Sequence, residues 1–332
     1  MAHPKIKASV IGVTGFTGTE LLRCLIQHPH VEIQYLVSRQ HEGTNLGEVF
    51  PRLSHIKGLT ITNTDHETVA KESDVVFLCL PHKAAQEVAP TFLGKTKLVD
   101  FSADLRLGDA QTYARYYHTE HQHPELLNGQ FVYGLPEIYR DEIRKAEAVA
   151  NPGCFALLVQ LLLFPLKGKM SGADVIAISG TSGGGRAPRD PIDHPALSGN
   201  IRSYLINEHR HTPEILATSG LKETALNFTP TVGPFLRGIF ANGFIQTEAA
   251  PDLSVFDGHP FVRLVDKVEM TNVVSTNFID LSYSEGNRGT IIAQGALDNL
   301  LRGASGTAVQ NMNLMFGFDE TSGLDFDSPV YP

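Results

Sequence analysis

Two short stretches carry residues suited to covalent chemistry. Asn151-Pro-Gly-Cys154 places a cysteine behind a Pro-Gly turn and ahead of an apolar run, Phe155 to Leu166. The run predicts a helix with Cys154 at its start or one residue before it. The helix dipole and the free N–H groups there favour thiolate over thiol. The same N–H groups suit an oxyanion on a bound acyl group. A cysteine that merely packs is the other reading. The second stretch is His209-Arg-His211-Thr-Pro-Glu214. Pro213 suits a first helical turn, and residues three apart, such as His211 and Glu214, then share a face. That spacing predicts an imidazole acid/base oriented by a carboxylate, with a solvated, charged helix start as the alternative. Cys24 and Cys79 fall in a predicted helix and a predicted buried strand, and read as packing cysteines.

A third stretch suits a phosphate-bearing ligand. Gly12-Val-Thr14-Gly15-Phe16-Thr17-Gly18 lies between a predicted strand and a predicted helix. Glycine permits the tight turn and close backbone approach, and the helix N-terminus supplies N–H groups to a pyrophosphate. The spacing is G-x-x-G-x-x-G, so the strand-turn-helix context carries the expectation of dinucleotide binding. The second predicted strand ends at Ser38-Arg39, where an NAD-preferring site would carry a carboxylate. A hydroxyl and a guanidinium suit a 2′-phosphate, which predicts NADP.

The elements that must position these groups alternate through the first half. Strands are expected at 6–11, 31–37, 74–80 and 97–101, with helices at 19–27 and 82–92. Short apolar runs alternating with helices imply a parallel sheet covered on both faces, and hence a doubly wound Rossmann-type domain. The second half, after the helix at 155–166 and a strand at 174–179, is β-rich at 228–232, 238–247, 261–265 and 277–283. It reads as an α+β domain with a mixed, largely antiparallel sheet. The stretch 289–315 reads as helical.

Composition narrows the classes. The 332 residues include 42% hydrophobic and 19% charged side chains, enough to bury a core. The 27 basic and 36 acidic residues leave a net charge of −9, which provides no broad nucleic-acid footprint. Three cysteines make neither a disulfide framework nor a zinc motif, and a reducing, cytoplasmic compartment is expected. No leader pattern and no membrane-length apolar run is read. His118, His121 and His123 form H-x-x-H-x-H. No fourth ligand is placed, so a solvated loop is expected and no metal is assigned.

Taken together, the motifs resemble the N-acetyl-gamma-glutamyl-phosphate reductase family. The resemblance rests on the glycine turn, Leu80-Pro81-His82, Asp100-Phe-Ser-Ala-Asp-Leu-Arg106 and Tyr133-Gly-Leu-Pro-Glu137. It continues through Asn151-Pro-Gly-Cys154, Ser179-Gly-Thr-Ser182-Gly183-Gly-Gly-Arg186, His209-Arg-His-Thr-Pro-Glu214 and the segment from Gly303 to Gly317. These occur in the family's order nearly end to end. The resemblance implies an NADP-dependent acyl-phosphate reductase of arginine biosynthesis. It implies Cys154 as nucleophile, His211 as acid/base and Glu214 as its orienter. Arg106, Arg186 and His209 would contact the substrate, while Pro81, Ser182, Gly183 and Asn311 would join the cofactor site. It implies a cofactor domain of residues 1–152 and 304–332, a catalytic and oligomerisation domain of 153–303, and a homo-oligomer, dimer or tetramer. The chain departs from the family after the nucleophile: Phe155-Ala-Leu157 stands where Tyr-Pro-Thr is common, which removes a hydroxyl and a proline. The aminoadipyl or N-succinyl analogue, aspartate-semialdehyde dehydrogenase and a non-catalytic NADP sensor are the competing readings.

Overall fold

The computed structural model describes residues 5–186 and 197–324. Seven strands of the first half form one sheet: β1 (Ile6–Ile11), β2 (Val31–Val37), β3 (Ile61–Thr62), β4 (Val75–Leu78), β5 (Lys97–Asp100), β6 (Val132–Tyr133) and β7 (Ala148–Ala150). Their order is β3-β2-β1-β4-β5-β7-β6, and each neighbouring pair is parallel. The chain winds outward from β1 to β3, then crosses back to β4 and winds the other way. The ends of β1 and β4 therefore open a crevice at the switch point, where doubly wound sheets bind ligands. β1 and β4 are buried on both faces, as covered parallel strands must be.

The second sheet contains β8 (Gly172–Ser179), β9 (Arg202–Ser203), β10 (Leu226–Val232), β11 (Ile239–Gln246), β12 (Val262–Leu264), β13 (Ile279–Glu285) and β14 (Thr290–Leu297), in the order β12-β13-β14-β11-β8-β10-β9. Two pairings are parallel and four antiparallel. The mixed, largely antiparallel sheet is the expected one. The apolar helix Cys154–Leu163 packs on one face of it, with Leu157, Leu158, Leu161 and Leu162 fully buried against Val175, Ala241 and Leu281. A short 3-10 turn, Phe164–Leu166, ends the run where Pro165 cannot donate to the ladder.

The helical expectation for 289–315 is half right. Thr290–Leu297 is a strand, because its side chains alternate between the core and the open face with a period of two. A π-turn, Leu301–Ser305, then leads into the helix Gly306–Phe316. That helix returns to the first sheet, where Ala308, Val309 and Met312 enter the core containing Leu21 and Leu25.

Candidate active site

The crevice between β1 and β4 is built by glycine. Gly12 has φ +85°, and a Cβ there would collide with the carbonyl of Cys79 at the end of β4. A Cβ on Gly18 would approach Gly12 O at 2.6 Å, so the helix Phe16–Gln27 can sit directly on the turn. Gly15 is its N-cap and offers no capping side chain, so the first-turn N–H groups keep their polarity for a ligand. Gly15, Phe16, Thr17 and Pro81 line a cavity of about 360 Å³ that also takes in Ser182, Gly183, Arg186 and Cys154. At the end of β2, Ser38 Oγ lies 3.4 Å from Thr14 Oγ1, and Arg39 is exposed beside them. These features fit a dinucleotide with a 2′-phosphate. Cys79 also lines this cavity instead of lying within a strand, since β4 ends at Leu78.

Cys154 is the first residue of its helix, with Gly153 as N-cap in extended conformation. The Phe155 N–H and the charges of Arg106 and Arg210 favour its thiolate, but burial is larger and pushes the thiol above its ordinary value. The expectation of a thiolate favoured by the helix start is thus outweighed by desolvation. Cys154 needs a base, and His211 is adjacent: its ring packs on Gly153 so closely that a Cβ there would collide with Nε2. Burial, then His209, Arg210 and Arg106, hold His211 well below its ordinary value. The imidazole is therefore neutral at rest, and the same burial lowers its basicity. Cys154 and His211 both line the 360 Å³ cavity and a second one of about 460 Å³.

Glu214 does not orient His211. Among the described residues, Nδ1 of His211 has no hydrogen-bond partner. The Glu214 carboxylate is engaged elsewhere: Oε1 accepts from Arg106 Nη1 at 3.1 Å, and Oε2 from Tyr133 Oη at 2.6 Å and Gly153 N at 3.0 Å. The physical reason is position. His211 is the N-cap of the helix Thr212–Ser219 and Glu214 lies in its first turn, directed at the neighbouring helix N-terminus. His209 packs beside His211: its Nδ1 accepts the His211 backbone N–H at 3.1 Å, and the two rings meet edge to face with centroids 4.6 Å apart. The His209 ring is wedged among Phe155, Tyr204 and Phe228, and burial pulls it down to about 3, so it packs as a neutral group.

Three arginines, Arg106, Arg186 and Arg210, line the 360 Å³ cavity together with Cys154 and His211. Arg106 is nearly buried and donates to Asn151 O at 2.7 Å and Phe101 O at 2.9 Å as well as to Glu214, so it braces the nucleophile turn. Arg186 lies over the rings of Phe16 and Phe50, at 5.3 and 5.6 Å, on the cofactor side of the crevice. Arg210, which the sequence reading passed over, is exposed and lines both cavities between the two histidines. The signal for it was its place in His-Arg-His. Asn311 does not line the cofactor cavity. It is fully buried, and its amide donates to Gly134 O at 2.9 Å and Asn151 Oδ1 at 3.2 Å, holding the nucleophile turn from behind. His121 is likewise not solvated: it is buried, with Nε2 at 3.0 Å from Asp104 O. Among the described residues no cluster of His, Cys, Asp and Glu could hold a metal ion.

A thiol at a helix start, a neutral imidazole beside it and a glycine turn opening into one crevice define a nucleotide-linked reductase or dehydrogenase of acyl groups. The family comparisons agree. Residues 7–146 match the model described as semialdehyde dehydrogenase, NAD binding domain, and residues 154–299 the one described as semialdehyde dehydrogenase, dimerisation domain. The chain belongs to the semialdehyde dehydrogenase family. It is 38% identical to the N-acetyl-gamma-glutamyl-phosphate reductase of Methanopyrus kandleri, over 96% of this chain and 98% of the relative. It is 40% identical to a putative [LysW]-L-2-aminoadipate/[LysW]-L-glutamate phosphate reductase of Pyrococcus abyssi, over 98% and 99%. Among solved structures, aspartate semialdehyde dehydrogenase II from Vibrio cholerae, complexed with ASA, superposes with a TM-score of 0.69 at 14% identity, covering 95% of this chain and 99% of that one. That likeness extends to the fold.

Proposed function

We propose that the chain reduces N-acetyl-gamma-glutamyl phosphate to N-acetylglutamate 5-semialdehyde and phosphate, with NADPH as reductant, as a step of arginine biosynthesis. The observation that carries this reading is the shared crevice: Cys154, its base His211 and the glycine turn all open into it.

The neutral His211 imidazole takes the Cys154 proton in the same step as attack, because the raised thiol and the lowered imidazole disfavour a free thiolate–imidazolium pair. The sulfur adds to the acyl carbon, phosphate leaves with the bonding pair, and a thioester remains on Cys154. N–H groups of the helix start stabilise the oxyanion on the acyl carbon. Bound NADPH supplies the hydride that reduces the thioester carbon. His211 then returns its proton as the carbon–sulfur bond breaks, releasing aldehyde and thiol. Arg210 supplies charge for the substrate's anionic groups, and Ser38 and Arg39 select the 2′-phosphate. Gly12, Gly15 and Gly18, with Ser182 and Gly183 opposite, hold the pyrophosphate end.

The test is phosphate-dependent oxidation of N-acetylglutamate semialdehyde, compared with the N-succinyl and aminoadipate analogues. The acetyl compound is expected to be preferred by at least tenfold in kcat/KM. A second reading, reduction of a carrier-linked aminoadipyl or glutamyl phosphate, is favoured by the 40% identity to the Pyrococcus abyssi relative. It keeps the same chemistry and changes the group on the amine, so preference for a carrier-linked substrate would select it.

The assembly proposed is a homo-oligomer, dimer or tetramer, in line with the dimerisation-domain match. Ile176 and Phe244 stand on the uncovered face of the second sheet, 46% and 42% exposed, and a second copy would cover them. The proposed units are 1–152 with 304–332 and 153–303. The free cysteines suit the reducing cytoplasm. No helix of the described residues is long and apolar enough to cross a membrane.

A further inference from the structure

The segment Tyr133-Gly-Leu-Pro-Glu137 takes no part in the chemistry above, yet three of its residues connect to the nucleophile turn through one or two intermediaries. Gly134 O accepts from Asn311, whose amide also donates to Asn151. Glu137 is paired with the buried Arg302 of the π-turn, and the adjacent Gly303 lies so near Cys154 that a Cβ on it would approach the Cys154 Cβ at 2.8 Å. Tyr133 makes the most direct connection. Its hydroxyl donates to Glu214 Oε2 at 2.6 Å, and the same oxygen accepts the Gly153 N–H at 3.0 Å.

The phenol oxygen has a second partner. Gln160 Nε2 donates to it at 2.7 Å, and Gln160 lies on the nucleophile's own helix, six residues beyond Cys154. Thr218 in turn donates to Gln160 Oε1. One oxygen atom thus links the helix Cys154–Leu163 to the helix Thr212–Ser219, which follows His211. The nucleophile helix is gripped at its N-cap through Glu214 and nearly two turns along through Gln160. Two fixed points prevent the helix from turning about its axis or sliding along it. Gln160, Glu214 and Thr218 are 1–2% exposed, so water does not compete for these bonds.

We propose that Tyr133 is a positioning residue for Cys154, acting through Glu214 and Gln160 to fix the register of the nucleophile helix against His211. The proposal rests on Cys154 being the nucleophile. Angular misplacement of a nucleophile costs rate with little effect on binding, because the near-attack geometry is lost and the contacts to the rest of the substrate remain. Loss of the phenol donor also leaves the Glu214 charge less compensated beside the thiol, and Glu214 already acts to raise it.

The experiment compares wild type with Tyr133→Phe in steady-state kinetics and in alkylation of Cys154 by iodoacetamide against pH, with adducts assigned by peptide mass. Roughly tenfold lower kcat is expected, with both KM values within about twofold and slower Cys154 alkylation through an upward shift of its pH profile. A folded Tyr133→Phe protein with wild-type kcat and alkylation profile overturns the proposal, as does a change confined to KM. If Tyr133→Phe fails to fold, Gln160→Met cuts the link to the nucleophile helix while leaving the Tyr133–Glu214 bond; a fall in kcat with both KM values within about twofold is expected, and a wild-type kcat overturns the proposal. Alkylation reads the thiol whether or not it catalyses. A Cys154→Ser enzyme with full turnover would sink the proposed function, and an unmoved profile sinks only this inference.

Discussion

The Glu214 carboxylate lies 3.0 Å from the backbone nitrogen of Gly153, immediately before Cys154, and 3.1 Å from the Arg106 guanidinium. Both side chains of this ion pair are almost completely buried. Removing one charge strands the other, at a cost of about 3 kcal/mol or more. Glu214→Gln is expected to lower the urea midpoint strongly and to reduce kcat through the nucleophile turn. A protein of wild-type stability that lacks only activity would restore the orienter role for Glu214, which the geometry denies.

His211→Asn removes the imidazole packed on the nucleophile turn. A fall in kcat of about 10²–10⁴-fold is expected, with NADPH binding retained. Because the imidazole is held far below its ordinary value, the wild-type rate is expected to show no acidic fall centred near pH 6.5. A fall centred there that disappears in His211→Asn would contradict this.

Arg39→Ala tests cofactor choice. Loss of a charge-assisted contact to a 2′-phosphate is worth about 1.5–3 kcal/mol, which raises KM for NADPH by roughly ten- to a hundredfold. KM for NADH is expected to stay within about twofold. Equal effects on both cofactors would remove Arg39 from that role.

How much of this was legible follows from what each signal depends on. The glycine turn and the helix start at Cys154 are local, set by a few adjacent residues. Glu214 was misread because its partners, Arg106 and Tyr133, are 108 and 81 residues away. Spacing along one helix placed it beside His211, and tertiary contacts took its carboxylate elsewhere. Asn311 was misread for the same reason. β14 was read as helix because Ala293, Gln294, Gly295 and Ala296 give few β signals and the segment runs into a true helix; its pairing with β11 and β13 decides the matter. Arg210 needed the cavity to give it meaning.

Acid stability follows from His209. Its value is about 3 in the folded protein against an ordinary 6.5, so the unfolded chain binds the extra proton across that window. Stability contributed by keeping it neutral is full above pH 6.5 and falls by about 1.4 kcal/mol per pH unit below it. Asp100, pushed up to about 7, acts in the opposite sense, gaining stability as pH falls from 7 towards 3.8. Comparing wild type with His209→Phe isolates the histidine. The stability difference between them is expected to move in favour of the variant between pH 6.5 and 4.5, and a constant difference would contradict a neutral buried imidazole.

The most direct test is to mix the enzyme with N-acetyl-gamma-glutamyl phosphate in the absence of NADPH, quench in acid and weigh the peptides. An N-acetylglutamyl adduct on the Cys154 peptide, lost on adding NADPH, is the expected result. Unmodified Cys154 in an enzyme that still turns over with NADPH, or an adduct on another residue, would contradict the account.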